Sequence, residues 1–279
     1  MSAPKSIIWL ASYPKSGNTW TRMFLANYLM NADKPVPINQ VHRFGMGDSI
    51  PRMYHMVAGR QIDISDYQLT LKLRDKVLGG IVANKADVNF VKTHNIRAEA
   101  FGVTLIPERF TRSAIYIIRN PLDMLISFAR HYGLGHAETA DAISSPDHSN
   151  SADGSTVTQF LGSWSEHVES WTTKSSYPVC VLRYEDMLAD PEASFAKVLD
   201  LVGIPNDPER LKKAIRFSSF DELSKQEKEG GFVESSPKND RFFSKGQSNQ
   251  WQSELAPEIV ERVKKDHRKI MKKYGYLDD

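Results

Sequence analysis

The stretch "SIIWLASYPKSGNTWTRMFLANYLMN", residues 6–31, constrains the fold more than any other part of the chain. "SIIWLASY" is a continuous apolar run rich in β-formers, the composition of a strand buried on both faces. A polar turn with one glycine follows, and then Trp20, Phe24, Leu25, Tyr28 and Leu29 recur at helical spacing, with Asn18 or Thr19 placed to cap the helix. Strand, glycine turn and helix in direct succession aim backbone N–H groups and the positive end of a helix dipole at one point. That arrangement suits an anion.

The turn is not a Walker loop. GxxxxGK[ST] places its lysine directly after the second glycine, whereas here Lys15 comes two residues before Gly17, the only glycine of the turn. Three further apolar runs, "VNFVKTHN", "SAIYIIRNP" and "PVCVLRYED", each end in polar residues, and a helical segment, "TVTQFLGSWSEHVESWTTK", separates the last two. Strands alternating with helices predict an α/β fold with a mainly parallel central sheet flanked by helices. Ligands of such sheets sit at the carboxyl ends of the strands. The rule collects Lys15, Lys92, His94, Arg119 and Glu185 at one edge.

Elsewhere the pattern is coarser. Residues 31–87 read as helices and loops, residues 136–155 as a polar, mobile loop, and "PEIVERVKKDHRKIMKKYG" as one amphipathic helix with a solvated outer face. At 279 residues and 41% hydrophobic content the chain can fill the core of one large domain, expected to span 1–279. Basic and acidic residues number 36 and 34, so bulk charge gives no reason to expect a nucleic-acid or membrane partner, and any anion site is local. Cys180, the single cysteine, lies in an apolar run and reads as a small buried hydrophobe. With no intramolecular disulfide available and too short an apolar stretch at the N-terminus for a signal peptide, a cytoplasmic protein is expected.

Two constellations carry chemistry. Lys92 and His94, two apart in "VKTHN", share one face of an extended strand. They are either a cation beside a general base or two unrelated polar residues leaving the sheet. In "IIRNPLDMLISF", Arg119 ends a strand and Ser127 lies two helical turns into the next helix, a receptor for a phosphate. The alternative is an arginine that caps the strand and pairs with Asp123.

"YPKSGNTW", "VKTH", "IIRNPLDMLISF", "GSWSEHVESW", "LRYEDML", "SSFDEL" and "SKGQSNQW" together resemble, in order and spacing, the soluble sulfotransferases that use 3′-phosphoadenosine 5′-phosphosulfate (PAPS). The resemblance spans nearly the whole chain. It implies that Lys15, Ser16, Gly17, Asn18 and Thr19 wrap the 5′-phosphosulfate and that Trp20 stacks on adenine. It implies too that Arg119 and Ser127 bind the 3′-phosphate, that Tyr184, Ser218 and Phe220 line the adenine pocket, and that Lys245 and Gly246 close over the 3′-phosphate. His94 is then the base, with Lys15 and Lys92 as catalytic cations, and no metal is required. The acceptor is a hydroxyl of a small molecule, a phenol or alcohol; a P-loop kinase and a non-catalytic nucleotide-binding protein are the competing readings.

The chain departs from the family's pattern in three places. The late loop R-K-G-x-x-G-D-W reads here Ser244-Lys245-Gly246, so one arginine is missing, with Arg241 or Lys238 as candidate substitutes. Ile96 stands where a proline is usual after the histidine. The K-x-x-x-T-V-x-x-x-E dimerisation motif is absent, and the oligomeric state stays open. Residues 39–60 and 133–158 are expected to line the acceptor pocket. Phe44, Met46, Met53, Tyr54 and Met56 form either an apolar wall there or core at helical spacing.

Overall fold

The apolar runs align side by side. In the computed structural model, which describes residues 5–84, 86–236, 238 and 241–278, strand β1 (Ile7–Ser12) is buried along its whole length. It pairs in parallel with β3 (Asn89–Thr93) on one side and β4 (Thr111–Ile118) on the other. A short β2 (Met46–Gly47) adds to β3, and β5 (Val179–Arg183) adds to β4, giving five parallel strands in the order β2-β3-β1-β4-β5.

Alternation along β1 divides the core. Ile7, Trp9 and Ala11 face a cluster containing Trp164 and Trp171, while Ile8 and Leu10 face one containing Phe24, Tyr28 and Phe195. Helices cover both faces, as burial of an all-parallel sheet requires. On the second face lie α1 (Asn18–Met30), α8 (Pro191–Val202) and α9 (Pro208–Phe217). On the first lie α3 (Tyr67–Val82), α4 (Pro121–Tyr132), α5 (His136–Ser144), α6 (Trp164–Thr172), α12 (Pro257–Asp266) and α13 (Arg268–Lys273). The short α2 (Pro51–Ala58), α7 (Tyr184–Ala189), α10 (Phe220–Gly230) and α11 (Trp251–Glu254) sit around the carboxyl edge and the periphery.

Several sequence expectations need correction. Gly17, at φ 107°, is the N-cap of α1, not Asn18 or Thr19. Asn18 is instead turned back, its amide donating to Leu10 O at 2.8 Å, which ties the turn to the strand. Residues 136–144 form a helix rather than a mobile loop, because Thr139, Ala140 and Ile143 bury one side against α4 and α12. Of residues 156–174 only Trp164–Thr172 is helical, started by a capping box between Ser163 and Glu166; Gln159–Phe160 pairs with Ser149–Asn150 in a short antiparallel ribbon. The last amphipathic stretch breaks at His267, whose ring turns inward, edge-on to Trp164 and 2.8 Å from Ser165 Oγ.

One buried carboxylate organises the end of β3. Asp48, with no exposed surface, accepts from Arg74 Nη2 at 2.6 Å, Thr93 Oγ1 at 2.7 Å, Ser49 Oγ at 2.8 Å and Asn95 Nδ2 at 3.1 Å. Burial alone would raise its pKa, but Arg74 and these hydrogen bonds outweigh that and hold it below the ordinary value. Thr93 and Asn95 flank His94, so the cluster fixes the histidine's backbone from both sides. Asp48→Ala leaves Arg74 buried and uncompensated, and is expected to cost roughly 3 kcal/mol or more in urea unfolding. Asp186→Ala, which removes the exposed Arg183–Asp186 pair, is expected to cost under about 1 kcal/mol. Equal costs would contradict this account.

Candidate active site

The strand ends and the helices after them enclose a cavity of about 600 Å³. At its floor the turn after β1 is tightly shaped. Lys15 has φ 67°, a left-handed conformation that costs a non-glycine residue about 1–2 kcal/mol. At Gly17 an added Cβ would lie 2.8 Å from Tyr184 Cδ2. Helix α1 begins with no side-chain cap, so its first N–H groups carry the dipole's positive end without a protein acceptor from a capping side chain. Arg119 Nη1 donates to Lys15 O at 3.1 Å, joining the turn to the end of β4.

Glu234 stands in this cradle. Arg22 holds its two oxygens with both guanidinium nitrogens, at 2.9 and 3.1 Å; Lys92 Nζ lies at 3.3 Å and Thr19 Oγ1 at 3.4 Å. Burial pushes the Glu234 carboxyl up, yet Lys92 and Arg22 together hold it well below the usual carboxylate range. Burial, then Lys92, lowers the Lys15 amine to about 7, and Glu234 pulls the other way. Lys15 Nζ lies 3.6 Å over the Phe242 ring and 3.5 Å from His131 Nδ1.

His94 lines the same cavity, beside Lys92. Its Nδ1 lies 2.8 Å from Ser12 O. A carbonyl only accepts, so Nδ1 carries the proton and Nε2 the lone pair. Burial first, and Lys92 second, lower its pKa to about 3, which keeps the ring neutral at physiological pH. Behind it, Tyr116 Oη lies 2.9 Å from His167 Nδ1, and His167 Nε2 donates to His94 O at 3.1 Å. This chain of buried groups holds the residue from the back.

The same cavity is also lined by Arg119, Ser127, Tyr184, Ser218, Phe220, Lys245 and Gly246. Arg119 stacks 4.4 Å over Tyr184, and its Nη2 donates to Gln247 O at 3.2 Å. No ion pair between Arg119 and Asp123 occurs among the described residues; Asp123 instead accepts from the backbone of Asn249 and Trp251. Buried Arg119 Nε has no hydrogen-bond partner among the described residues, as expected where a ligand anion supplies the acceptor. Trp20 lines the cavity, edge-on to Tyr184 and Phe195. The Ser218 hydroxyl is satisfied by Ala214 O at 2.8 Å. At Gly246 a Cβ would collide with the Phe220 ring.

Thus Lys15, Gly17, Asn18, Thr19, Trp20, Lys92, His94, Arg119, Ser127, Tyr184, Ser218, Phe220, Lys245 and Gly246 line one space. Ser16 is buried behind the turn, and Glu185 serves the scaffold, accepting from Asn120 N and Tyr276 Oη. Phe44, Met46, Met53, Tyr54 and Met56 do not line the cavity. Phe44, Met53 and Tyr54 pack into apolar clusters, and Met56 is 70% exposed. Residues 39–60 and 133–158 do reach it, through Ile50 and backbone at Gly45 and Gly47 but mainly through polar groups such as His42, Ser49, Asn150, Asp153 and Thr156. Of the late loop, Pro237, Asn239 and Asp240 lie outside the described residues, as do residues 1–4. Arg22 and Glu234 are not singled out by sequence reasoning. Arg22, one turn beyond Asn18 on α1, was within reach of a periodicity argument; Glu234, 212 residues from its partner, was not.

Among the described residues no group of three or more His, Cys, Asp or Glu side chains could hold a metal, and no helix is long and apolar enough to cross a membrane. The Sulfotransferase domain family model matches residues 5–275. Sulfotransferase 1 family member D1 of Mus musculus is 24% identical over 286 residues, covering 95% of this chain and 83% of that protein. Among solved structures, mouse sulfotransferase SULT7A1 complexed with PAP aligns with TM-score 0.61 and 22% identity, over 99% of this chain and 90% of that one. Retinol dehydratase in a complex with retinol and PAP aligns with TM-score 0.64 and 17% identity, over 96% and 82%. The structural likenesses establish the shared fold.

The electrostatics of the turn are directly measurable. Reductively ¹³C-methylated protein, with Lys15→Met identifying the resonance, should show Lys15 titrating near pH 7, as its lowered pKa of about 7 requires. Because Glu234 favours the charged amine, Glu234→Gln should move this titration lower, and a bound polyanion should move it higher. Titration near the ordinary lysine value of about 10.4 would contradict the geometry.

Proposed function

Since this chain belongs to the sulfotransferase family, with the domain match spanning residues 5–275, we propose that it moves the sulfuryl group of PAPS to a hydroxyl of a small acceptor. In this reading the whole chain works as one domain in the cytoplasm. The carrying observation is the carboxylate of Glu234 among Thr19, Arg22 and Lys92, an internal anion at the mouth of the uncapped helix. The buried Arg119 Nε, without a hydrogen-bond partner among the described residues, fits a ligand that brings an acceptor to the cavity Arg119 lines.

PAPS supplies an activated sulfuryl group and a phosphate leaving group. In this reading the turn from Lys15 to Thr19 binds the 5′ end, with Trp20, Tyr184, Ser218 and Phe220 around the base and Arg119, Ser127, Lys245 and Gly246 at the 3′ end. Lys15 and Lys92 neutralise charge that builds on the transferring and departing oxygens. His94, neutral and with its lone pair on Nε2, takes the proton of the acceptor hydroxyl. Anion binding beside Lys92 raises the histidine's basicity from its low resting value, so the base gains strength once the nucleotide is in place. Toward residues 39–60 and 133–158 the wall mixes Ile50 and Tyr132 with His42, Ser49, Asn150, Asp153 and Thr156, which suits a phenol or alcohol that also carries polar substituents.

A P-loop kinase fits less well. The lysine precedes the glycine, and Arg119 with Ser127 answers a ribose phosphate that ATP lacks. PAP should raise the melting temperature by several degrees at concentrations where ATP with Mg²⁺ raises it little. With PAPS and a panel of hydroxylated acceptors, His94→Ala should lower the transfer rate by about a hundredfold or more while leaving PAP affinity within a few fold. Stabilisation by ATP alone, or full activity in His94→Ala, would overturn the proposal.

A further inference from the structure

The 3′ end of the cavity contains a cation that none of the preceding assignments uses. Helix α4 presents Ser127 and, three residues later on the same face, Arg130; both line the cavity. Arg130 Nη1 donates to Ser244 Oγ at 3.2 Å, and Nη2 pairs with Glu254. Glu254 also holds Lys245 Nζ at 2.6 Å. Two cations thus share one carboxylate, leaving a net positive charge on a pair that lines the same cavity as Arg119 and Ser127.

We propose that Arg130 is a specificity-determining residue for the nucleotide: with Arg119, Ser127 and Lys245 it binds the 3′-phosphate, in place of the arginine missing at Ser244. This assignment rests on the sulfotransferase reading and goes beyond it. The substitutes suggested by sequence are placed differently. Lys238 donates to Tyr132 O at 3.1 Å and is not among the cavity's lining residues; Arg241 does not line the cavity either but an adjoining pocket that shares Phe220 and Ser244 with it, where Asp221 and Glu229 offset the cations. Arg130 has the required freedom. Glu254 occupies one of its terminal nitrogens, while the other bonds a neutral hydroxyl, a partner that a phosphate oxygen replaces with gain because the acceptor becomes charged. Serine at 244 is part of the device. An arginine there would set a second guanidinium against the first, whereas the hydroxyl leaves room for Arg130 and adds a donor for the phosphate.

The test compares PAP with 5′-AMP, which lacks only the 3′-phosphate, by calorimetry on wild type, Arg130→Gln, Arg130→Lys and the double variant Arg130→Gln/Ser244→Arg. Arg130→Gln is expected to weaken PAP on the order of tenfold to a hundredfold and 5′-AMP by less than about twofold. Arg130→Lys should retain part of the preference, and Ser244→Arg should restore most of it in the Arg130→Gln background. Unchanged 5′-AMP affinity reports that the fold and the 5′ site are intact. A preference for PAP that persists in Arg130→Gln, or an equal loss for both nucleotides, would overturn the assignment alone. A wild type that binds PAP no better than 5′-AMP would overturn the sulfotransferase reading and the assignment with it.

Discussion

The bonds from Arg22, Lys92 and Thr19 to the carboxylate of Glu234 are the interaction on which the site depends. A parallel sheet flanked by helices brings strand ends and helix N-termini to one edge, and both favour positive potential there. This chain adds Lys15, Arg22 and Lys92 to that edge and buries them to the point where Lys15 loses much of its affinity for a proton. Cations so concentrated require an anion. The late loop supplies one from its own sequence, the carboxylate of Glu234.

Everything around that interaction serves to hold the groups in position. Gly17 lets the chain turn against Tyr184, and the left-handed Lys15 is secured by Arg119 through its carbonyl. The buried Asp48 cluster grips Thr93 and Asn95, and the Tyr116–His167 pair supports the carbonyl of His94. These contacts are buried and mutually satisfied, so they set the histidine's tautomer and position before any ligand arrives. The lone pair at Nε2 follows from a hydrogen bond at Nδ1 to the neighbouring strand.

Much of this was legible in the sequence. Four of the five strands announce themselves as apolar runs ending in polar residues: β1 and β4 are buried on both faces along nearly their whole length, and β3 and β5, half-buried in part, still carry short apolar runs. The lysine, histidine and arginine at their ends were found by the same logic. Other features depend on contacts between distant segments. The two-residue β2 has no pattern of its own and exists because β3 offers an edge. Helix α5 forms from a segment of small polar residues because Thr139, Ala140 and Ile143 meet a neighbouring surface. Glu234 lies on a late irregular segment, and Arg130, on α4, gains its setting from Ser244 and Glu254 more than a hundred residues away, so both have meaning only once folding has brought these segments together.

A crystal structure of the protein with bound PAP tests the central claim most directly. The account predicts the 5′-phosphate within the turn from Lys15 to Thr19, the 3′-phosphate beside Arg119 and Ser127, and the Glu234 carboxylate withdrawn from Lys92. Nucleotide bound elsewhere, with Glu234 still gripped by Arg22 and Lys92, would contradict it.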